Sequence, residues 1–348
     1  MSFSKIILQW YSENKRLLPW RNTIAPYNIW LSEIMLQQTR VAQGIPYYER
    51  FIKRFPTVFE LAKADEQEVL KLWQGLGYYS RARNLHWTAK YVVDHLNGQF
   101  PNTYEELLKL KGIGDYTASA IASISFNRLE PVVDGNVYRV ISRFKGLDMP
   151  INDPKANKYY KLFARDLMSK TDIRNYNQGI MEFGALHCTP QKPKCSSCPL
   201  QTSCIAFQTN KVSEYPIKIK KGKTLKRYFN YFVVLDQAGN TLLVQRTNKD
   251  IWQYLYEFPL LESEKELELK DISKKLPEVV GVEEIKIVYQ TNSKSIVHKL
   301  SHQHLYTKFW VVKSSQPLKN GISLMEIESY PVPVLIGDYI KTFKNSYF

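Results

Sequence analysis

Near residue 213 the apolar residues of this 348-residue chain change their spacing, and no single layer architecture accommodates both patterns. Upstream, across "IMLQQTRVAQGIPYYERFIKRF", Ile34, Val41, Ile45, Tyr48, Ile52 and Phe55 recur at intervals of three, four and seven, which places them on one face of α-helices. The same period continues in "ADEQEVLKLWQGLG", "RARNLHWTAKYVVDHL" and "NKYYKLFARDLMSK", with Gly and Pro as stops. Downstream the period is two. "YFNYFVVLD", "QAGN" and "TLLVQRT" read as strand, tight turn and strand, and "HLYTKFWVVK" as a further strand. The expected fold is therefore multidomain: an all-α domain over residues 1–212, a basic linker at 213–226, and an α+β domain at 227–348. The stretch "YPIKIKKGKTLKR" holds six basic residues and no acid, which suits a solvated linker or one that touches phosphates.

Two domains also suit the length, and no internal repeat argues for a solenoid. No apolar run is long enough to cross a bilayer, and "MSFSKIILQWYSENKRLLPW" does not read as a signal peptide, so a cytoplasmic, nucleoid-associated protein in a reducing compartment is expected. The formal net charge of +15 points to a polyanionic partner, because Lys and Arg neutralising phosphates supply most nonspecific nucleic-acid affinity.

All four cysteines lie in "CTPQKPKCSSCPLQTSC", residues 188–204. Cys188, Cys195, Cys198 and Cys204 form a closed ligand set for one centre, either tetrahedral zinc or an iron-sulfur cluster, and spacing does not choose between them. Pro190, Pro193 and Pro199 keep the segment out of a regular helix, as a metal-binding loop requires.

Three further stretches bear on chemistry. In "LLKLKGIGDYTASAIASISF", Gly112 and Gly114 separate two helical patterns, and the amides opening the second helix could hold a DNA phosphate; otherwise this is a tight turn. In "EPVVDGNVYRVISR", Asp134 reads first as a helix N-cap. Glu33, in "PYNIWLSEIMLQQTRV", lies between Trp30 and Met35: buried, it would hold its proton and serve as a general acid, and exposed, it would be an ordinary surface residue.

Together, "LKGIGDYTA", "VVDGNVYRV" and the cysteine run resemble the endonuclease III superfamily of helix-hairpin-helix DNA glycosylases. "LPWR", "WLSEIMLQQTRV" and "GLGYYSRARNL" look like its MutY-type adenine DNA glycosylases, across most of residues 1–210. The resemblance selects a [4Fe-4S] cluster over zinc. It implies that Glu33 protonates a flipped adenine and then activates water, that Asp134 stabilises the cationic sugar or traps it covalently, and that Tyr116 and Asn136 position the pair. Arg21 and Gln178 are implied at the adenine edge, Leu36 among the substrate contacts, and Gln38, Thr39, Leu76 and Tyr78 at the wedge and the opposite base. Endonuclease III-type enzymes carry a lysine where this chain has Tyr116, so a monofunctional glycosylase is expected instead of a bifunctional pyrimidine-lesion glycosylase/AP lyase. A noncatalytic DNA-binding module on the same fold would have no reason to keep Glu33 and Asp134 together.

The C-terminal half resembles the Nudix-like domain of these enzymes through "LLVQRT" and "YLYEFPLLE". The cluster of acids that a Nudix hydrolase needs is missing from "LLESEKELELKDISKKLPE", which argues against pyrophosphate hydrolysis. In the family this domain recognises 8-oxoguanine through a Phe-Ser-His loop. "VHKLSHQHLY" supplies Ser301 and His302 there, with Leu300 in place of the phenylalanine. The implied partner is double-stranded DNA carrying adenine opposite 8-oxoguanine or guanine, bound by a monomer and with no membrane involved.

Overall fold

The computed structural model describes residues 1–219, 224–281 and 285–347. They fall into two compact units, one formed by Met1–Lys63 with Asn84–Lys221, the other by Ala64–Arg83 with Gly222–Phe348. The sequence reading places Ala64–Arg83 in the helical half; the structure groups it with the C-terminal one. Polar ties run from this segment to distant residues of the same unit. Lys71 Nζ donates to the carbonyl oxygens of Glu328 and, at 3.2 Å, of Tyr330, and Arg83 Nη1 donates to that of Gln253 at 2.6 Å. Of the expected linker, 220–223 lie outside the described residues.

The first unit is helical among its described residues. Helix Ile173–Leu186 is its centre, packed on Phe3–Asn14, Gly135–Lys145 and Asp115–Ile124. Two glycines let it approach closely: at Gly184 a Cβ would stand 2.7 Å from Asn136 Cβ, and at Gly179 one would stand 3.1 Å from Tyr11 Cβ. Helix Pro26–Leu36 packs on Asp115–Ile124 and on Val41–Arg54. Eight of its residues, Tyr27 and Ile29–Met35, are buried. A helix apolar nearly all round belongs inside, each large side chain contributing about 1.5–3 kcal/mol, and it carries Glu33 inside with it.

The second unit is built on a mixed sheet of β1 (Leu225–Leu235), β2 (Asn240–Thr241), β5 (Leu260–Ser263), β6 (Ile285–Gln290), β7 (Ile296–Lys299), β8 (Gln303–Ser314) and β9 (Ile322–Ser323), with β3 (Val244–Gln245) and β4 (Tyr256–Glu257) as a separate pair. The order β6-β8-β1-β2-β9 places β1 and β8 side by side and parallel, Leu225 opposite Gln303 and Leu235 opposite Lys313. A parallel pair needs a crossover, and helix Leu269–Val280 lies within that connection. One face of β1 buries Phe229, Tyr231 and Val233 against helix Val334–Tyr347; the other buries Phe232 and Val234 against Leu269–Val280. With both faces covered, β1 is buried without alternation from Phe229 to Leu235. The expected strand "TLLVQRT" is broken in two: Leu242 and Leu243 leave the ladder and pack into opposite cores.

Candidate active site and iron-sulfur loop

Glu33 is 7% exposed, and its carboxyl Oε2 accepts a 2.6 Å hydrogen bond from the Tyr116 hydroxyl. Burial, aided by the nearby Asp134 charge, raises Glu33 to about 7 against the hydrogen bond from Tyr116 and the Arg21 charge, which lower it. Burial also holds the Tyr116 phenol well above its ordinary value, so it remains the donor in this pair.

Asp134 is the N-cap of helix Gly135–Lys145, accepting from the backbone N–H of Asn136 at 2.9 Å and of Val137 at 2.8 Å. The capping reading is thus correct, and it does not compete with a catalytic one. Asn136 Nδ2 donates to the other carboxylate oxygen at 2.8 Å, fixing both oxygens. Burial raises the Asp134 carboxyl, while these donors and Arg139 pull it back toward the ionised form. Arg139 Nη2 donates to Asn136 Oδ1 at 2.9 Å and to the Gly184 carbonyl at 2.6 Å, and its Nε to the Cys188 carbonyl at 2.7 Å. The Asp134 carboxylate and the cysteine loop therefore hang on one helix.

Glu33, Tyr116, Asp134 and Asn136 line one cavity of about 870 Å³, together with Arg21, Gln178, Leu36, Gln38 and Thr39. No lysine is among its lining residues. Gln178 accepts from the Tyr11 hydroxyl at 2.8 Å, which orients its amide. Gln38 has φ of +56°, a left-handed conformation that few non-glycine residues adopt. Sequence reasoning missed Glu182, which also lines this cavity. It pairs with Arg16 at 2.6 Å and Arg21 at 2.9 Å. Burial pushes Glu182 up, but these arginines outweigh it and hold it at about 2. A second lone acid on an apolar helical run, "GIMEFGAL", was the available signal, the same one that marked Glu33. The cavity thus holds one acid raised toward neutrality and one held ionised.

Leu76, Tyr78, Ser301 and His302 meet in the second unit, around a cavity of about 460 Å³. The Tyr78 hydroxyl is hydrogen-bonded to Ser301 Oγ, and Tyr78, 44% exposed, has φ of +49°. Ser301 and His302 lie on the exposed turn between β7 and β8; Leu300 packs against the core beside them.

Gly112 and Gly114 form the turn before helix Asp115–Ile124, with Gly114 as its N-cap. Gly112 has φ of +80°, and a Cβ there would stand 2.8 Å from Asn84 Cβ, so only glycine fits. A Cβ on Gly114 would meet nothing within 4 Å: the helix N-terminus is open for an anion to approach.

The four cysteines surround a small cavity of about 30 Å³. Among the described residues no three His, Cys, Asp or Glu side chains converge as ligands of a single ion. Four thiols facing one shared space are a ligand set for a metal centre. Burial raises the thiols of Cys195, Cys204 and, to about 11, Cys198. Arg143 braces the loop through the carbonyls of Thr189 at 2.7 Å and Val212 at 3.0 Å.

Comparison with known proteins agrees with this arrangement. Residues 31–165 match the HhH-GPD superfamily of base excision DNA repair proteins, 188–204 the iron-sulfur binding domain of endonuclease III, and 230–342 the NUDIX domain. Among solved structures, a thermostable thymine-DNA glycosylase aligns with a TM-score of 0.56 and 30% identity, over 60% of this chain and 95% of that one. The fold and site define a base excision repair glycosylase with a [4Fe-4S] cluster, for which the four cysteines are the ligand set. The adenine DNA glycosylase of Buchnera aphidicola from Acyrthosiphon pisum is 39% identical over 86% of this chain and 83% of its own length; that from Baizongia pistaciae is 38% identical over 89% and 86%. The human adenine DNA glycosylase is 34% identical over 86% of this chain and 65% of its own length. The chain belongs to the adenine DNA glycosylase family.

Proposed function

We propose that this enzyme hydrolyses the N-glycosidic bond of adenine paired with 8-oxoguanine or guanine in double-stranded DNA, as a monofunctional glycosylase that flips the adenine out of the helix. The observation that carries the reading is the Glu33–Tyr116 pair opposite a hydrogen-bonded Asp134 in one cavity. Breaking this bond needs a proton on the departing base and an anion near the cationic sugar. Glu33, raised to about 7, retains a substantial protonated fraction at neutral pH and delivers its proton to the base; Asp134, held by its hydrogen-bond donors, supplies the anion; Glu33, once ionised, accepts a proton from the incoming water. Gln178 and Arg21, which line this cavity with Leu36, Gln38 and Thr39, are assigned to the adenine edge. Leu76, Tyr78, Ser301 and His302 are assigned to the opposite base, and the amides behind Gly112 and Gly114 to a phosphate. Domain limits of 1–212 and 227–348 on either side of the linker, a monomer, and a cytoplasmic, nucleoid-associated location complete the proposal. Among the described residues no helix is long and apolar enough to cross a membrane.

The alternative, a bifunctional lyase acting on damaged pyrimidines, needs an amine to form a Schiff base, and a cavity with no lysine in its lining favours hydrolysis. Single-turnover reactions on duplexes with adenine opposite 8-oxoguanine, adenine opposite guanine, and thymine glycol opposite adenine test both. The expected result is adenine release from the first two, strand breaks only after alkali, and no activity for Glu33→Gln. Breaks without alkali at the damaged pyrimidine would overturn it.

A further inference from the structure

The cavity of the second unit has a wall that the proposed lesion contacts leave unused. Trp252 lines it beside Leu300 and Ser301, at the tip of the loop joining β3 to β4. Its backbone is left-handed, with φ of +58°, and Tyr254 follows with φ of +67°. A bulky residue in this region is strained, and such a conformation persists only where its surroundings impose it.

Three arginines impose it here. Arg227 grips the Asp250 carboxylate at 2.7 and 3.0 Å, Arg246 grips it at 2.8 Å and donates to the Ile251 carbonyl at 3.0 Å, and Arg83 donates to the Gln253 carbonyl at 2.6 Å. The Arg83 guanidinium also lies 5.4 Å from the centre of the Tyr254 ring. The loop is fixed on both sides of Trp252, so the indole cannot relax away from the cavity. Its ring neighbours are His298, centroids 5.7 Å apart at 61°, and Phe229, 6.4 Å apart at 80°. Neither is parallel to the indole, so no stacked partner is already in place among the described residues. Leu76, Ile251, Leu300 and Val334 in the lining offer no π-face, Tyr79 is buried, and the Tyr78 hydroxyl is tied to Ser301.

We infer that Trp252 is a specificity-determining residue of this enzyme, the aromatic wall on which the oxidised purine opposite the target adenine rests while Ser301 and His302 face its polar edge. This rests on the assignment of the cavity to the opposite base. Stacking on an aromatic side chain accepts any base, so Trp252 supplies affinity and orientation, and discrimination arises because the stacked base is held where Ser301 reads it.

The test compares wild type, Trp252→Ala, Trp252→Phe and Ser301→Ala in the full chain with its cluster. Single-turnover rates and duplex affinities are measured for adenine opposite 8-oxoguanine and opposite guanine, beside melting temperatures. Trp252→Ala should weaken binding of both duplexes, since stacking accepts either base, and lose in addition on the order of tenfold in the preference for 8-oxoguanine, while Trp252→Phe should retain most of it. Equal losses on both duplexes with a lowered melting temperature, or no loss at all, would make Trp252 a packing residue and overturn the inference. Ser301→Ala separates the underlying reading. If its preference for 8-oxoguanine is undiminished, the assignment of the cavity to the lesion fails; if Ser301→Ala loses that preference and Trp252→Ala keeps it, only the role of Trp252 fails.

Discussion

Glu33 shows how far one buried carboxyl sets the behaviour of this enzyme. Its ordinary value of 4.5 is raised to about 7, so the folded state binds the proton more tightly than the unfolded chain. The stability from that preference is fully present below about pH 4.5 and is lost as pH rises through about 7. The gap corresponds to about 3 kcal/mol once Glu33 is fully ionised. Glu33→Gln, which keeps shape and cannot ionise, should therefore melt higher than wild type at pH 8, with the advantage shrinking toward pH 5, while base release is abolished. A difference in melting temperature that stays constant between pH 5 and pH 8 would contradict a buried, protonated Glu33. Tyr116 offers a second check at the same scale, because its hydrogen bond lowers Glu33. In Tyr116→Phe the alkaline limb of the single-turnover pH profile should move to higher pH even as the maximal rate falls; a limb moving the other way would contradict the assigned direction of this hydrogen bond.

At the scale of the element, helix Gly135–Lys145 does the positioning. Its N-cap is the proposed anion, Arg139 in its middle ties Asn136 to the Gly184 and Cys188 carbonyls, and Arg143 near its end braces the cysteine loop. The neighbouring helix presses against the same point, because a Cβ on Gly184 would stand 2.7 Å from Asn136 Cβ and 3.0 Å from its carbonyl oxygen. Gly184→Ala should displace Asn136, and through it Asp134, lowering single-turnover base release by on the order of 100-fold, with about 1–3 kcal/mol of overpacking visible in thermal melts. An unchanged rate beside a lowered melting temperature would show that Asp134 is positioned independently of this contact. Much of this helix was legible in the sequence: "VVDGN" writes an N-cap, and the cysteine run announces its cofactor. The interlock at Gly184 was not, since a glycine inside "EFGAL" gives no sign of what approaches it. Glu33 was legible from its apolar neighbours, whereas the salt bridges of Glu182 join residues more than 160 positions apart and have no local signature. The break in "TLLVQRT" was hidden for a related reason, since Leu242 and Leu243 leave the ladder to fill two different cores.

For the whole molecule, the two compact units do not follow the change of hydrophobic period at Ala64–Arg83. Ala64–Arg83 reads as one more amphipathic helix of the first half, and its apolar period carries no information about which core receives it. Polar ties join it to the second unit: Lys71 to the carbonyls of Glu328 and Tyr330, Gln67 Nε2 to the Tyr256 hydroxyl at 3.0 Å, Arg83 to Gln253, and Tyr78 to Ser301. Each partner lies well beyond the linker in sequence, so a chain cut there loses all of them at once. In a fragment of residues 1–219, amide hydrogen exchange across helix Glu66–Trp73 should be faster than in the full chain, because buried contacts and side-chain ties resist local opening. Helix Ile173–Leu186, whose packing lies within the first unit, should keep its protection. Adding a separate fragment of residues 224–348 should restore slow exchange to Glu66–Trp73 if that fragment folds around it. Equal protection of Glu66–Trp73 with and without residues 224–348 would show that this segment is held by the helical half after all.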